Sequence, residues 1–298
     1  MRSARGSGRR SLDLERAVII PKETKLEYDL RRLGWTPRRL KTWYRERGDA
    51  IFESHERQLE VRSRLLALLP QSRLAAREMA DRAGLDASSL VIALGGDNHF
   101  IYVSHFLRQA PLLGVNADRL RSHGGLLRID ETSLQAAAAC LRSGRWSIEE
   151  WPRLEASLDG RPVGLATSEV FLGERQRKHM SRHILRLGRG AEEEHKGSGL
   201  LVATPAGSTG WYGQYGRPFR EASGPARWAL TEPFPPGRRR RLACGRLRRG
   251  EVLRVRSLND SDGILDLDSL REIPFPFASV AALRVSRDPL KVLRTAAE

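Results

Sequence analysis

The stretch LVIALGGDNH, Leu90–His99, decides the fold of this chain. A short apolar run predicts a buried strand, and two glycines and a carboxylate follow it directly. In α/β sheets, ligands bind outside the carboxyl ends of the strands. Glycines there let main-chain N–H groups approach a phosphate closely. Asp97 could bind Mg²⁺, hold a ribose hydroxyl or accept its proton. The stretch therefore indicates nucleotide or phosphate chemistry.

The segments around this stretch alternate between strands and helices. Apolar runs at Arg16–Pro21 and Pro111–Asn116 predict two further strands. Helical spacing of apolar residues predicts helices over Phe52–Leu69, around Tyr102–Leu107 and over Ser133–Leu141. Strand–helix–strand alternation of this kind is typical of a mostly parallel sheet.

From about residue 151 the pattern changes to shorter, β-like segments separated by Gly, Pro and Asp-Gly turns. They are Arg153–Leu158, Val163–Leu172, Leu200–Thr204, Leu253–Ser257 and Ile264–Leu267. We therefore predict four parts. A disordered basic tail occupies residues 1–13, and an α/β domain with the Gly95-Gly96-Asp97 turn occupies 14–145. A β-rich domain follows at 146–279, and a C-terminal segment, 280–298, docks back on the body.

Composition narrows the class of protein. At 298 residues, 40% of them apolar and 30% charged, the chain suits a soluble globular protein of two domains. No apolar stretch approaches the roughly 18 residues of a membrane span, so we expect no membrane partner. Cys140 and Cys244 lack metal-ligand spacing and indicate a reducing compartment, hence a cytoplasmic location. The Arg- and Ser-rich residues 1–12 loosely resemble a transit peptide, which leaves an organellar matrix as the alternative.

The net charge of +16 invites a nucleic-acid interpretation. Only six of the 52 basic residues are lysine, and the arginines are spread along the chain, which favours a compositional bias. The dense cluster Arg238–Arg241 lacks interleaved aromatic residues, so we interpret it as a solvated basic loop. We expect no specific nucleic-acid partner, although a charged phosphoryl donor would be attracted.

Two more segments could complete a site with the first. Ser168-Glu169 follows Thr167 inside the apolar run Val163–Leu172, where a buried Glu is costly unless it is bonded. The alternative is a Glu on a solvent-facing strand position. The segment Leu200–Trp211 carries an apolar strand into hydroxyl residues, glycines and an aromatic ring, which could hold a nucleotide.

Together the three segments resemble the NAD kinase family. That family has a Gly-Gly-Asp-Gly turn, an Asn-Glu pair on a strand and a Thr-Pro-x-Gly-Ser-Thr segment, in this order and at similar spacing. Two further segments, Gly114–Asp118 and Gly124–Leu126, are similar to its strand and loop after the first motif. The segment Glu169–Glu174 is most similar to the branch typified by mitochondrial NAD kinase. The resemblance covers roughly residues 15–295.

The resemblance implies an α/β domain followed by a β-sandwich-like, nucleotide-binding domain, with the active site between them. It implies transfer of a phosphoryl group from ATP or polyphosphate, with Mg²⁺ or another divalent cation, to the 2′-hydroxyl of the adenosine ribose of NAD or NADH. It also implies a homo-oligomer, with a dimer favoured. Asp97 would orient or deprotonate the hydroxyl. The roles of the other residues follow by segment: phosphate or nucleotide contact for Gly95, Gly96, Asn98 and His99, and substrate binding for Ser168, Glu169, Thr204, Ser208, Thr209 and Trp211.

The chain departs from the family pattern at several of these positions. Asn98 replaces a glycine, and asparagine is the residue that best tolerates positive φ after glycine. His99 replaces a threonine and either binds phosphate or is structural. Ser168 replaces the asparagine of Asn-Glu and loses an amide that both donates and accepts hydrogen bonds. Gly210-Trp211 replaces Ala-Tyr.

Other functions stay open at this point. A kinase of the same fold could act on a lipid or sugar alcohol, because such enzymes carry a similar Gly-Gly-Asp turn. A nucleotide-binding protein with weak or no catalysis is a further alternative, favoured by Ser168 and His99 and opposed by Asp97. His179 and His183 would suit a metal ion only on a helix, where this family has strand or loop.

Overall fold

The computed structural model describes residues 12–176, 178–220, 224–237 and 239–297. Most of the predicted N-terminal tail, and Arg238 of the basic cluster, lie outside the described residues. The chain folds into two compact units. One runs up to Glu149 and resumes at Lys291, and the other is Glu150–Leu290. The predicted boundary, between residues 145 and 146, lies four residues before this division.

The first unit contains five α-helices and a six-stranded sheet within the described residues. The helices are α1 (Lys25–Leu33), α2 (Pro37–Tyr44), α3 (Gly48–Leu68), α4 (Asp97–Ser104) and α5 (Leu134–Ser143). The strands are β1 (Ala17–Pro21), β2 (Arg73–Leu74), β3 (Leu90–Gly95), β4 (Leu112–Asn116), β5 (Trp146–Trp151) and, from the C-terminus, β18 (Leu290–Thr295). The sheet order is β2-β1-β3-β4-β18-β5.

The predicted parallel sheet is confirmed. β1 pairs in parallel with β2 and β3, and β4 pairs in parallel with β3 and β18. Every residue of β3 and β4 is buried, as expected for strands covered on both faces. Val61 and Leu65 of α3 and Leu134 of α5 pack with these strands in one core. This core fixes the carboxyl end of β3, where the Gly95-Gly96-Asp97 turn begins.

The helix after this turn is shorter than its apolar stripe predicted. α4 ends at Ser104. The N–H groups of Phe106 and Leu107 then donate to the carbonyl groups three residues earlier, those of Val103 and Ser104, instead of four residues earlier as in an α-helix. Asp86 Oδ1 accepts hydrogen bonds from the backbone N–H groups of residues 108, 109 and 110. Because this carboxylate engages three consecutive N–H groups, the helix cannot extend through them.

The second unit is built from strands. They are β6 (Leu154–Leu158), β7 (Arg161–Ala166), β8 (Glu169–Glu174), β9 (Ser181–Leu187), β10 (Glu193–Gly197), β11 (Gly199–Ala203), β12 (Ala226–Thr231), β13 (Cys244–Leu247), β14 (Leu253–Ser257), β15 (Gly263–Leu267), β16 (Arg271–Pro274) and β17 (Val280–Val285). One sheet has the order β10-β9-β14-β17-β6-β7, and the other has the order β13-β12-β11-β8-β15-β16.

The two sheets share a core, which confirms the sandwich-like part of the fold prediction. Leu154 and Val255 from the first sheet lie in one buried cluster with Val170, Leu200 and Leu265 from the second. A second cluster covers the other side of β8 and β11 and includes Phe171, Leu201 and Tyr212.

One predicted β segment and the predicted C-terminal segment are each divided in the structure. Val163–Leu172 is β7 and β8, with Thr167 and Ser168 between them, because a carboxylate binds the backbone there, as described below. The apolar C-terminal segment is β17 and β18, which belong to different sheets. Its first strand pairs with β6 and β14, and its second pairs with β4. No helix within the described ranges is long and apolar enough to cross a membrane.

Candidate active site

Asp97 is the first residue of α4, and a neighbouring loop holds its carboxylate. Gly96 caps the helix in extended conformation, with φ −117° and ψ −176°. Asp97 Oδ2 accepts a hydrogen bond from the N–H of Gly125 at 2.9 Å, and Oδ1 accepts one from Leu126 at 2.9 Å. The Gly124–Leu126 segment thus fixes the carboxylate at the carboxyl end of β3, where ligands bind in α/β sheets.

Both glycines before Asp97 are needed for close packing. A Cβ on Gly96 would lie 2.8 Å from Ser122 Oγ, and a Cβ on Gly95 would lie 2.9 Å from the Cβ of Lys22. Lys22 follows β1 at the same edge of the sheet, and the sequence analysis missed it. Burial, and more weakly the charge of Arg77, lower the pKa of its ammonium. A cation directly after a strand at this edge was the signal that could have identified it.

The two residues after Asp97 differ from what the family pattern suggested. Asn98 is exposed and lies in the first turn of α4, so it needs no positive φ. His99 is 1% exposed, and its Nε2 lies 2.8 Å from the carbonyl oxygen of Ile20. Burial lowers the pKa of His99 to about 4, which leaves the ring neutral at physiological pH. This placement favours the structural alternative for His99 over phosphate contact.

In the second unit, Asp268 organises the Ser168-Glu169 pair. Its Oδ2 accepts the N–H of Thr167 at 2.7 Å, and its Oδ1 accepts those of Ser168 and Glu169 at 2.8 Å each. Three consecutive N–H groups therefore bind one carboxylate, which ends β7 and starts β8. Asp268 is 7% exposed and was missed in the sequence analysis. Its position directly after the predicted strand Ile264–Leu267 was the sequence signal that could have identified it, just as the position of Asp97 after a predicted strand identified that residue.

Glu169 is a partly buried carboxyl with an altered acidity. The Ser168 hydroxyl donates a hydrogen bond to its Oε2. Burial raises the pKa of Glu169 to about 7, the Ser168 bond opposes the rise, and the charges of Asp268 and Asp266 add to it. A carboxyl with these surroundings changes charge near neutral pH, which is a property of functional groups more often than of structural ones.

The loop after β11 packs directly on this pair. A Cβ on Gly207 would lie 2.4 Å from the Ser168 carbonyl oxygen, 2.6 Å from Ser168 Oγ and 2.7 Å from Glu169 Oε2. Position 207 therefore accepts only glycine without a shift of the pair. The loop is anchored by Thr204, whose N–H donates to the Ser168 carbonyl at 2.9 Å and whose Oγ1 donates to the Thr167 carbonyl at 2.6 Å.

The other loop residues predicted to bind substrate differ in how exposed they are. Ser208 is 1% exposed, and its hydroxyl bonds the backbone of Pro205 and Phe219, so it shapes the loop. Thr209 is exposed. Trp211 packs on Phe171 with ring centroids 5.0 Å apart, in the second apolar cluster. The structure thus brings Ser168, Glu169 and the Thr204–Ser208 turn together, and it gives Trp211 a packing partner.

The histidine pair does not have the geometry considered from the sequence. His183 is buried on strand β9, and His179 lies in the preceding turn, so the two are not on one helical face. Across the described part of the chain, no group of three or more His, Cys, Asp or Glu side chains is arranged to hold a metal ion.

Comparison with known proteins identifies relatives of this chain. A stretch of 134 residues is 32% identical to the NAD kinase of Methanopyrus kandleri and covers 44% of this chain and 48% of that protein. The NAD kinase of Natronomonas pharaonis is 28% identical over 145 residues, which cover 47% and 53% of the two chains. The chain is thus matched over about half the length of these relatives. No family model matches it.

Solved structures show the same fold over nearly the whole chain. A crystal structure of an NAD kinase from Archaeoglobus fulgidus in complex with ATP superposes with a TM-score of 0.63 at 17% identity, covering 94% of both chains. The chain is thus similar to NAD kinases in sequence over about half of its length and in fold over nearly all of it. Yeast NADH kinase complexed with NADH gives a TM-score of 0.70 at 15% identity, covering 95% of this chain and 84% of that one. The NAD kinase fold therefore includes both units, and the Asp97 and Glu169 segments lie one in each.

Proposed function

We propose that this protein is an NAD(H) kinase, which transfers a phosphoryl group from ATP to the 2′-hydroxyl of the adenosine ribose of NAD or NADH. The observation that carries the proposal is the Ser168-Glu169 pair packed against Gly207, in a chain related to NAD kinases. An acidic side chain that accepts hydrogen bonds from ribose hydroxyls is a common means of holding an adenosine dinucleotide.

Glu169 is proposed to bind the ribose. Its Oε2 already accepts one bond from Ser168, and a carboxylate has roughly four lone-pair directions, so acceptance from two neighbouring hydroxyls is possible. The exposed Thr209 at the end of the same loop is proposed to contact the adenosine portion. Thr204 and Ser208 support this surface through their backbone bonds rather than by contact with the substrate.

Asp97 is proposed to orient the attacking hydroxyl and accept its proton. The 2′-oxygen forms a bond to the terminal phosphorus of ATP, the bond from that phosphorus to the bridging oxygen breaks, and ADP leaves with the electron pair. The N–H bonds from Gly125 and Leu126 hold the carboxylate in one orientation while the proton moves. Phosphoryl transfer depends mainly on such positioning and on charge neutralisation.

The donor is proposed to be the magnesium complex of ATP, with polyphosphate as the alternative. Because the described residues contain no cluster of metal ligands, no step is assigned to a protein-bound metal. Lys22, beside Gly95, is proposed to attract the phosphates of the donor. We also propose a homodimer in the cytoplasm, which light scattering after gel filtration and fractionation of the source cells would test.

The deciding experiment incubates the purified chain with MgATP and either NAD or NADH and measures NADP or NADPH by an enzyme-coupled assay. We expect one phosphorylated product per ADP formed. Polyphosphate in place of ATP tests the donor, and a panel of lipid and sugar alcohols tests the acceptor. Binding of NAD without any product would contradict the kinase proposal, and a phosphorylated lipid or sugar without NADP would contradict its acceptor.

A further inference from the structure

An open groove lined by aromatic and basic side chains lies along α2 in the first unit. Its volume is about 1060 Å³, and the described residues that line it all belong to the segment 35–45. They are two tryptophans, three arginines and two threonines: Trp35, Trp43, Arg38, Arg39, Arg45, Thr36 and Thr42. None of these seven residues is acidic. None of these side chains belongs to the proposed kinase machinery.

One aromatic side chain of this groove, Trp43, is highly exposed, and the other, Trp35, is half-buried. The side chain of Trp43 is 68% exposed. Its ring meets Trp35 edge-on, with centroids 5.7 Å apart and an interplanar angle of 77°. The guanidinium of Arg39 lies over the Trp35 ring, so Trp43 supplies the open aromatic surface of this groove.

The three arginines of the groove form no ion pair with a carboxylate of the described residues. Elsewhere arginines such as Arg57 and Arg256 pair with acidic side chains. Over the ranges that the structure describes, no carboxylate lies within 4.0 Å of the guanidinium groups of Arg38, Arg39 or Arg45. The guanidinium of Arg39 lies 4.2 Å from the Trp35 ring centroid. The groove therefore combines positive charge with a stacking surface.

We propose that this groove binds single-stranded nucleic acid. An unpaired base would stack on Trp43, and the neighbouring phosphates would contact Arg38 and Arg45, which is the combination that sequence-tolerant single-strand binding requires. The net charge of +16 would speed encounter with a polyanion. An acidic peptide would use the arginines but would leave the exposed Trp43 ring without a contact. The sequence of the Arg238–Arg241 cluster contains no aromatic residue.

The test measures fluorescence anisotropy of a short labelled oligothymidylate, and of oligouridylate, titrated with the full chain at several salt concentrations. Trp43→Ala is expected to weaken binding at least about fivefold, because base stacking on one aromatic ring contributes that much or more. Trp43→Phe is expected to retain most of the affinity. Arg38→Ala combined with Arg45→Ala is expected to lower the slope of log affinity against log salt by about 1.4.

Matched controls remove equivalent groups outside the groove. Phe277 is 65% exposed, so Phe277→Ala removes an aromatic side chain of similar exposure. Arg161→Ala with Arg189→Ala removes the same charge at two exposed positions in the second unit. Both control variants are expected to bind within twofold of the unaltered chain. Thermal unfolding of every variant checks that the fold is retained.

Three results would overturn the proposal. They are absence of binding at low salt, equal losses in the groove and control variants, and equal affinity for polyglutamate. The NADP-forming assay is read on the same variants, and Trp43→Ala is expected to leave it unchanged. Failure of nucleic-acid binding would therefore be distinguishable from failure of the kinase proposal.

Discussion

Two carboxylates, Asp97 in the first unit and Glu169 in the second, follow the same sequence logic but have different surroundings. Both lie beside a glycine that permits close packing, Gly96 for the one and Gly207 for the other. Asp97 accepts two backbone N–H bonds and has helix α4 behind it. Glu169 accepts a hydroxyl bond and lies near two other acids.

The difference shows how one type of side chain can serve two purposes. N–H donors hold Asp97 in a fixed orientation, which suits a group that must meet a reacting oxygen. Burial and the charges of Asp268 and Asp266 raise the pKa of Glu169 to about 7, which suits a group that responds to a hydrogen-bonding ligand. Four substitutions test this division, and they are ordered by the size of the expected effect.

Asp97→Asn should have the largest effect. It keeps the size of the side chain but removes the proton acceptor, so kcat should fall by about 10²–10⁴ with little change in the KM for NAD. Steady-state kinetics measures both. Asp86→Asn is the matched control, because Asp86 also accepts backbone N–H bonds in the same unit. It should lower stability and leave kcat intact, and an equal loss of kcat in both variants would remove the distinction.

Gly207→Ala should displace the Glu169 side chain while its carboxyl group is retained. The added methyl would meet Ser168 and Glu169 at 2.4–2.7 Å, so the pair must move, and a misplacement of about 1 Å can lower the rate of a reaction by about 100-fold. The KM for NAD should rise while the KM for ATP changes little. Gly210→Ala in the same loop is the control, because its nearest neighbour would lie at 3.5 Å. Unchanged kinetics for Gly207→Ala would show that this contact is irrelevant.

Asp268→Asn should mainly affect stability. An amide cannot accept three N–H bonds as a carboxylate does, so the free energy of unfolding should fall by about 2 kcal/mol. Urea denaturation measures the loss. Asp159→Asn, which removes a carboxylate with one bond to the N–H of Val280, should cost well under 1 kcal/mol. If the two variants lost similar free energy of unfolding, the three hydrogen bonds to Asp268 would not be what organises the Ser168-Glu169 pair.

The pH dependence of Glu169 should be the smallest effect. Its pKa is raised from 4.5 to about 7, so the folded state holds its proton more tightly than the unfolded state. The free energy of unfolding should therefore fall by about 1–2 kcal/mol as the pH rises from 4.5 to 7. NAD should bind about tenfold more tightly at pH 8 than at pH 6, because only the ionised carboxyl accepts both ribose hydrogen bonds.

Glu169→Gln should flatten both profiles. Above pH 7 the variant should be more stable than the unaltered chain, because glutamine places no charge at this partly buried position. Chemical denaturation and titration calorimetry across this pH range measure the two effects. A profile for NAD binding that keeps its slope in Glu169→Gln would assign the titration to another group.

The sequence by itself determined the fold class and the positions of the segments from which the site is proposed. Local patterns were sufficient because a buried strand such as Leu90–Gly95 is apolar throughout and stops at glycine. The strand Leu253–Ser257 matches its predicted bounds because buried Leu253, Val255 and Ser257 alternate with more exposed arginines. The resemblance to NAD kinases rested on short ordered motifs, and the solved structures confirm the fold that it implied.

Only the tertiary structure decided what surrounds each motif. The hydrogen bond that the Glu169 N–H donates to the Asp268 carboxylate joins residues 99 positions apart, and no local pattern specifies such a contact. The same holds for His99, whose partner is the carbonyl of Ile20, 79 positions away, and which is therefore buried. Side-chain exposure, hydrogen-bond partners and pKa depend on what packs from distant parts of the chain. The sequence thus located the carboxylates, and the packing around them gave each its distinct chemistry.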